Sequence, residues 1–362
     1  MTPASWLAPP LVAAAVTALA TPMVGQLARA VGVIDRPDER KVNRRQDIPL
    51  LGGLAVALGF YVGLAVAKLL TGEHAEYRNH IEGQILGSLI LITLGIVDDR
   101  WPLGARSKLT VEIVAAAVAI LYGYRVDHIS DPIAWNVWYL PAPVVWLMTG
   151  LWIVGITNAM NLMDGLDGLA AGVGAIIGAT LTYICFQAQQ WVGVFAGLAF
   201  VGSLLGFLPF NFPPARIFLG DTGALFIGFN LSLLALEGYQ KLAVLTFVVP
   251  LLALAVPLLD TALSIYRRIR RRRSILSADR QHIHHRLLES EGSHRPAVLS
   301  IYFLTVCFCV IAVSFTNLEG WAALLFLVLV IVLTLRLLRN LGFFDVGESP
   351  APVRGPADEE RW

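Results

Sequence analysis

Asn158, Asn161, Asp164 and Asp167 recur three residues apart in the stretch Asn158-Ala-Met-Asn161-Leu-Met-Asp164-Gly-Leu-Asp167-Gly168. On a helix this spacing makes one polar stripe, although Gly165 and Gly168 interrupt the turn for its last member. Carboxylate and amide oxygens are the hard ligands that Mg2+ prefers, with substrate phosphates and water completing its shell. Asp98-Asp99-Arg100 closes one apolar run and Lys108 opens the next. Adjacent acids at the mouth of an apolar helix are costly unless they face water, a cation or a metal, and a solvated helix end with Arg100 as partner is the plainer alternative. Gly220-Asp221-Thr222-Gly223 precedes a further apolar run, at a helix N-terminus favourable to anions. Taken alone, an N-cap aspartate explains it better. The basic loop Arg267–Arg295 contains Asp279-Arg280-Gln281-His282-Ile283-His284-His285. Histidines among arginines suit phosphate oxygens or a nucleotide better than zinc, because the spacing matches no zinc pattern and no thiolate accompanies it. Most of Arg267–Arg273 reads as a topology and headgroup anchor. Acids for a divalent cation and bases for phosphates together equip a site for phosphoryl transfer by positioning and charge neutralisation. There is no P-loop, Rossmann fingerprint or kinase signature, which argues against a nucleoside triphosphate motor.

The elements that must hold these groups are apolar. Of 362 residues, 56% are hydrophobic and 15% charged, with a mean hydropathy of +0.68. Soluble domains run nearer a quarter charged, so the composition points to an all-α polytopic membrane protein. The formal net charge of +1 suggests no nucleic-acid partner. Cys185, Cys307 and Cys309 lie inside apolar runs and form no disulfide framework. The run after Ser5 lacks a basic n-region and reads as a retained span rather than a signal peptide. Stretches of suitable length predict about eleven transmembrane helices, near 6–30, 50–70, 82–97, 107–123, 143–160, 167–186, 191–208, 222–237, 241–266, 297–315 and 320–338. Pro250 and Pro257 should kink the ninth. Of 27 Lys and Arg, only Lys68, Arg78, Arg125 and Lys241 fall in or beside loops that follow even-numbered spans. The excess elsewhere predicts an outside N-terminus and a cytoplasmic C-terminus, with all five polar segments, including Asp35–Lys41, on the cytoplasmic face. Residues 126–143 read as an external loop with a short hairpin, its Trp135, Trp138 and Tyr139 at headgroup level. Residues 1–340 read as a single transmembrane domain and 341–362 as a disordered cytoplasmic tail.

The motifs, in their order along the chain, resemble the polyprenyl-phosphate N-acetylhexosamine-1-phosphate transferases. The similarity runs from about Asp35 to His285, and Asn158–Leu169 combined with Gly220–Gly223 carries its specificity. The Asp-Arg-Gln-His-Ile-His-His block points to the N-acetylglucosamine branch. The resemblance implies transfer of N-acetylhexosamine 1-phosphate, foremost GlcNAc 1-phosphate, from the UDP-sugar to undecaprenyl phosphate with release of UMP. It implies a bacterial inner-membrane enzyme that opens cell-envelope polysaccharide synthesis, uses Mg2+ or Mn2+, and forms a homodimer. By similarity, Asn161 and Asp221 contact the metal, and Asp98 and Asp99 are the acids near the lipid phosphate. Asp164 and Asp167 join the catalytic group, serving the nucleotide or the active-site network. Lys108, Asn158, Arg280, His282, His284 and His285 contact the substrate. Two positions depart from the pattern: Pro102 stands where many relatives have a third acid or amide after Asp98-Asp99, and Asn43 where relatives often have histidine. Peptidoglycan translocases carry three consecutive histidines followed by an acid, whereas Ile283 interrupts the run here and Arg286 follows it, so UDP-GlcNAc is expected over UDP-MurNAc-pentapeptide.

Two other classes compete. A phospholipid-sugar transporter would place its ionisable groups near the bilayer midplane, whereas these lie at span ends on one side; Asp260, the exception, is seven residues from Arg267. A CDP-alcohol phosphotransferase needs Ala-Arg shortly after Asp-Gly, where this chain has Leu166-Asp167.

Overall fold

Inside a bilayer, backbone polar groups must be bonded within their own segment, so long apolar runs fold as helices. The computed structural model describes residues 3–35, 48–71, 78–130, 137–239, 248–270, 272, 282, 286–288, 291–316, 318 and 320–340. It contains α1 (Pro3–Ala30), α2 (Gly52–Thr71), α3 (Arg78–Arg100), α4 (Ala105–Leu121), α5 (Ala142–Met163) and α6 (Leu169–Gln187). These are followed by α7 (Trp191–Asn211), α8 (Gly220–Tyr239), α9 (Val248–Ala253), α10 (Ala255–Arg270), α11 (His294–Phe315) and α12 (Gly320–Asn340). The protein is an all-α polytopic membrane protein.

The expected eleven spans are not confirmed as a count. Among the described residues, seven helices are long and apolar enough to cross a membrane: α1, α2, α3, α5, α6, α7 and α11. Helix α4 has 17 residues. The expected ninth span divides at Leu254 into α9 and α10. Pro257 cannot donate to the Ala253 carbonyl, and the Cys309 thiol approaches that oxygen instead, at 3.9 Å. Helix α8 differs from its neighbours because residues 222–238 are buried without a break. A helix buried on every side is the core of the bundle rather than its lipid face. It packs against α2, α3, α5, α6 and α7, and its polar interior residues Asn230 and Glu237 are matched by partners on α3: Gln84 Nε2 donates to Asn230 Oδ1 at 2.9 Å, and His80 Nδ1 lies 2.6 Å from Glu237 Oε1.

Close approach fixes the α8 entry. A Cβ at Gly53 of α2 would strike the backbone of Gly223, and one at Gly95 of α3 the backbone of Thr222. Two short hairpins flank the bundle. Strand β1 (Ile34–Asp35) pairs antiparallel with β2 (Ile48–Pro49), Ile34 opposite Pro49. Strand β3 (His128–Ser130) pairs with β4 (Val137–Tyr139), His128 opposite Tyr139. The second falls where a short hairpin was expected, and its Trp138 and Tyr139 are exposed; Trp135 lies outside the described residues, as does the tail 341–362.

Candidate active site

The last turns of α3 and α5 and the first turns of α4 and α8 meet at one end of the bundle, which brings distant parts of the chain into contact. Lys108 Nζ donates to Asp98 Oδ2 at 2.7 Å and to Asp221 Oδ2 at 2.5 Å. Lys108 and Asp98 are mostly buried, and Asp221 is 31% exposed. Asp98 is further held by the Leu103 N–H, 2.6 Å from Oδ1.

Its neighbour Asp99 faces elsewhere. Asp99 Oδ1 accepts the Asp221 N–H at 2.8 Å, while Oδ2 accepts the Thr222 N–H at 3.2 Å and the Thr222 hydroxyl at 2.7 Å. Four N–H groups at a helix start have no intrahelical partner, and Asp99 satisfies two of them from another helix while meeting the positive end of the α8 dipole. Gly220 adopts φ +73°, and a Cβ there would press on the Asp99 carboxylate. The turn therefore requires glycine twice over, for conformation and for space. The preceding strap is bonded to the α2 entry: Phe218 N donates to Pro49 O, and Gly52 N and Gly53 N donate to Phe218 O and Leu219 O.

The polar stripe of α5 divides by depth. Asn158, one turn below the helix end, donates from Nδ2 to Glu112 Oε2 of α4 and to Val154 O at 3.0 Å. Asn161 neighbours Asp221, and its buried Nδ2 has no hydrogen-bond partner among the described residues. Asp164 follows the helix, where burial, reinforced by the charges of Asp221, Asp99 and Asp167, pushes its carboxyl well above the usual carboxylate range. Asp167 is buried and accepts the Ala215 N–H at 2.8 Å through Oδ2. It thereby ties the 164–168 turn to the loop before α8. Three groups complete that clasp: Asn211 Oδ1 accepts the Gly168 N–H at 3.1 Å, the Tyr302 hydroxyl donates to Gly168 O at 2.5 Å, and Arg295 Nε donates to Pro213 O at 2.7 Å. His282 is buried, with Nδ1 3.0 Å from Asp260 Oδ2. Arg280, His284 and His285 lie outside the described residues.

Structure thus brings together Asp98, Asp99, Lys108, Asn161, Asp164 and Asp221, sets Asn158 one turn deeper, and gives Asp167 to the adjoining clasp. Sequence reasoning missed Glu112, whose signal was an acid four residues after Lys108 inside an otherwise apolar helix. It also missed Asn211, Arg295 and Tyr302, which act through backbone bonds that no local pattern announces.

The donor set suits Mg2+. Asp98 and Asp221 present oxygens to one shared cationic group, and Asn161 beside Asp221 carries an amide oxygen as a third hard donor. Among the described residues, no three His, Cys, Asp or Glu side chains are grouped to hold a metal unaided. A cation here would therefore need substrate phosphates and water in its shell, which is the habit of Mg2+.

The chain is similar in sequence to named proteins. The profile of glycosyl transferase family 4 matches residues 82–239. The chain is 36% identical over 322 residues to the probable undecaprenyl-phosphate N-acetylglucosaminyl 1-phosphate transferase of Bacillus subtilis strain 168, covering 89% of this chain and 87% of that protein. It is 36% identical over 331 residues to the decaprenyl-phosphate N-acetylglucosaminephosphotransferase of Mycolicibacterium smegmatis, covering 81% and 77%. Against the undecaprenyl-phosphate alpha-N-acetylglucosaminyl 1-phosphate transferase of Escherichia coli K12 the identity is 28% over 284 residues, covering 76% and 74%.

Proposed function

Because the chain belongs to glycosyl transferase family 4, among the polyprenyl-phosphate N-acetylglucosamine-1-phosphate transferases, we propose that it transfers GlcNAc 1-phosphate from UDP-GlcNAc to undecaprenyl phosphate. A lipid phosphate oxygen attacks the sugar-linked phosphorus, a new phosphoanhydride bond forms, and the bond to the uridine phosphate breaks, releasing UMP. The observation that carries this reading is Lys108 held between Asp98 and Asp221, with Asp99 and Asp164 close by: an acid-rich site built around a cation.

Lys108 meets phosphate oxygens and offsets their charge, and Asp98 stands beside the lipid phosphate. Asp99, with both oxygens bonded to the α8 start, positions Asp221. Asp164 and Asp167 keep the adjoining turn in register for the nucleotide. Asp221, Asn161 and Asp98 would hold Mg2+, which when bound neutralises the diphosphate as charge builds on the leaving UMP. His282, beside Asp260, would contact the substrate, as the resemblance also implies for Arg280, His284 and His285.

The same reading puts the protein in the bacterial inner membrane as a homodimer, with its N-terminus outside and the site facing cytosolic UDP-sugar. Single cysteines at 98, 164, 221 and 284, in a background without the native three, should resist an impermeant thiol reagent in intact cells and react after permeabilisation; labelling in intact cells contradicts it. The activity is tested by UMP release from purified protein given undecaprenyl phosphate and either UDP-GlcNAc or UDP-MurNAc-pentapeptide. Release should be faster with UDP-GlcNAc. A transporter of lipid-linked sugar releases none.

A further inference from the structure

Glu112 is 2% exposed on α4, one turn below Lys108 on the same helix face. It lies within electrostatic range of both Lys108 and Asp221, yet its carboxylate is bonded to neither. The bond it makes runs sideways to α5: Asn158 Nδ2 donates to Glu112 Oε2 and to its own helix at Val154 O. Both acceptors fall on the same amide nitrogen. Turning the amide over would set Oδ1 against the Val154 carbonyl and the Glu112 carboxylate, which repel it, so chemistry permits one orientation. Both Asn158 N–H groups are spent, and Oδ1 is left as the polar atom that Asn158 offers on the half-buried side of α5.

A buried carboxylate in an apolar helix costs free energy that an apolar pair of the same shape would avoid. Packing alone gives no reason to keep it. Fixing which end of the amide faces the site does.

We propose that Glu112 is a positioning residue of the transfer site, orienting the Asn158 amide so that Oδ1 accepts from an O–H or N–H donor of the bound nucleotide sugar. This rests on the proposed function and adds to it an acid outside the metal and lipid-phosphate groups. The pair sits one turn from Lys108 on α4 and one turn from Asn161 on α5, where the two helices pack together. Its effect therefore falls on the nucleotide sugar and not on the lipid phosphate, whose charge is met by Lys108.

The test uses the full chain purified in detergent, with undecaprenyl phosphate and UDP-GlcNAc as substrates. Wild type, E112Q, E112A, N158A and E112A/N158A are compared for kcat and for KM of each substrate, with thermal unfolding measured in parallel. E112A should raise the KM for UDP-GlcNAc roughly tenfold and leave that for undecaprenyl phosphate unchanged. E112Q should return it to within about threefold, because Gln Oε1 accepts the same bond. E112A/N158A should be no worse than N158A, since the two side chains act as one unit. Equal effects on both KM values, additive effects in the double variant, or E112Q as damaging as E112A each overturn the proposal. If E112A does not fold, E112M, of similar volume, takes its place. Calorimetric binding of UDP-GlcNAc reads the same ratios without turnover, so the fate of Glu112 is judged separately from UMP release by the wild type.

Discussion

Helices α3 and α8 meet at both ends through buried acids, and the two ends are built on different balances. At one end Asp98 and Asp221 share a single lysine, Lys108, with Asp99 bonded to the backbone of Asp221 and Asp164 adding to the same field. At the other, Glu237 is 3% exposed and meets His80 Nδ1 at 2.6 Å. The His80 ring lies 4.8 Å from the ring of Tyr124, itself buried beside Glu237. Between them Gln84, Ser88 and Asn230 bond to one another. One acid with its own partners is a closed account. Two acids on one lysine, with two more close by, are not, because like charges in a partly buried site need more positive charge than Lys108 alone supplies among the described residues. On the proposed function the excess marks the end that takes a cation and phosphate, and the matched end is a joint between the two helices.

The comparison can be broken most sharply at the acid-rich end. D221N, or excess chelator with the wild type, should lower UMP release by on the order of 10^2–10^3-fold or more. Mg2+ should raise the unfolding temperature of the wild type and leave that of D221N unmoved. Turnover that persists in chelator removes the argument from acid excess. K108M should cost roughly 10^2-fold in kcat; the same assay decides, and unchanged kcat means the lysine only fills space between carboxylates. At the matched end E237Q should leave UMP release near normal and lower stability by about 3 kcal/mol, because removing one side of a buried pair strands the other. Denaturation in mixed micelles reads this. The smallest effect belongs to D99A, which should loosen the α8 start by about 1–2 kcal/mol, seen as faster hydrogen exchange at residues 221–223. Exchange unchanged from the wild type would mean that the cap is not held by Asp99.

Much of this was legible in the sequence, for a physical reason. Polar side chains are so costly in apolar runs that Asp98, Asn161 and Asp221 stand out wherever they fall. Pro257 likewise announced the break between α9 and α10. What could not be read was anything set by the crossing of two helices. Whether Asp99 faces substrate or caps α8 depends on how closely α3 approaches Thr222, and Gly95 shows that only once the helices are in place. Asp260 and His282 meet although they stand 22 residues apart, a contact that no local pattern discloses. Helix α8 was expected as one more span. Its burial places it in the core of the bundle, where Asn230 and Glu237 find partners on α3, and a hydropathy reading does not tell a core helix from a lipid-facing one.

The account stands or falls on the separation of the two ends, and one paired measurement reaches it directly: the rate of UMP release from UDP-GlcNAc and undecaprenyl phosphate by equal amounts of folded D221N and E237Q protein. The predicted result is a rate near background for D221N and near wild type for E237Q. Comparable rates for the two variants, whether both high or both low, would contradict the assignment of chemistry to the acid-rich end alone.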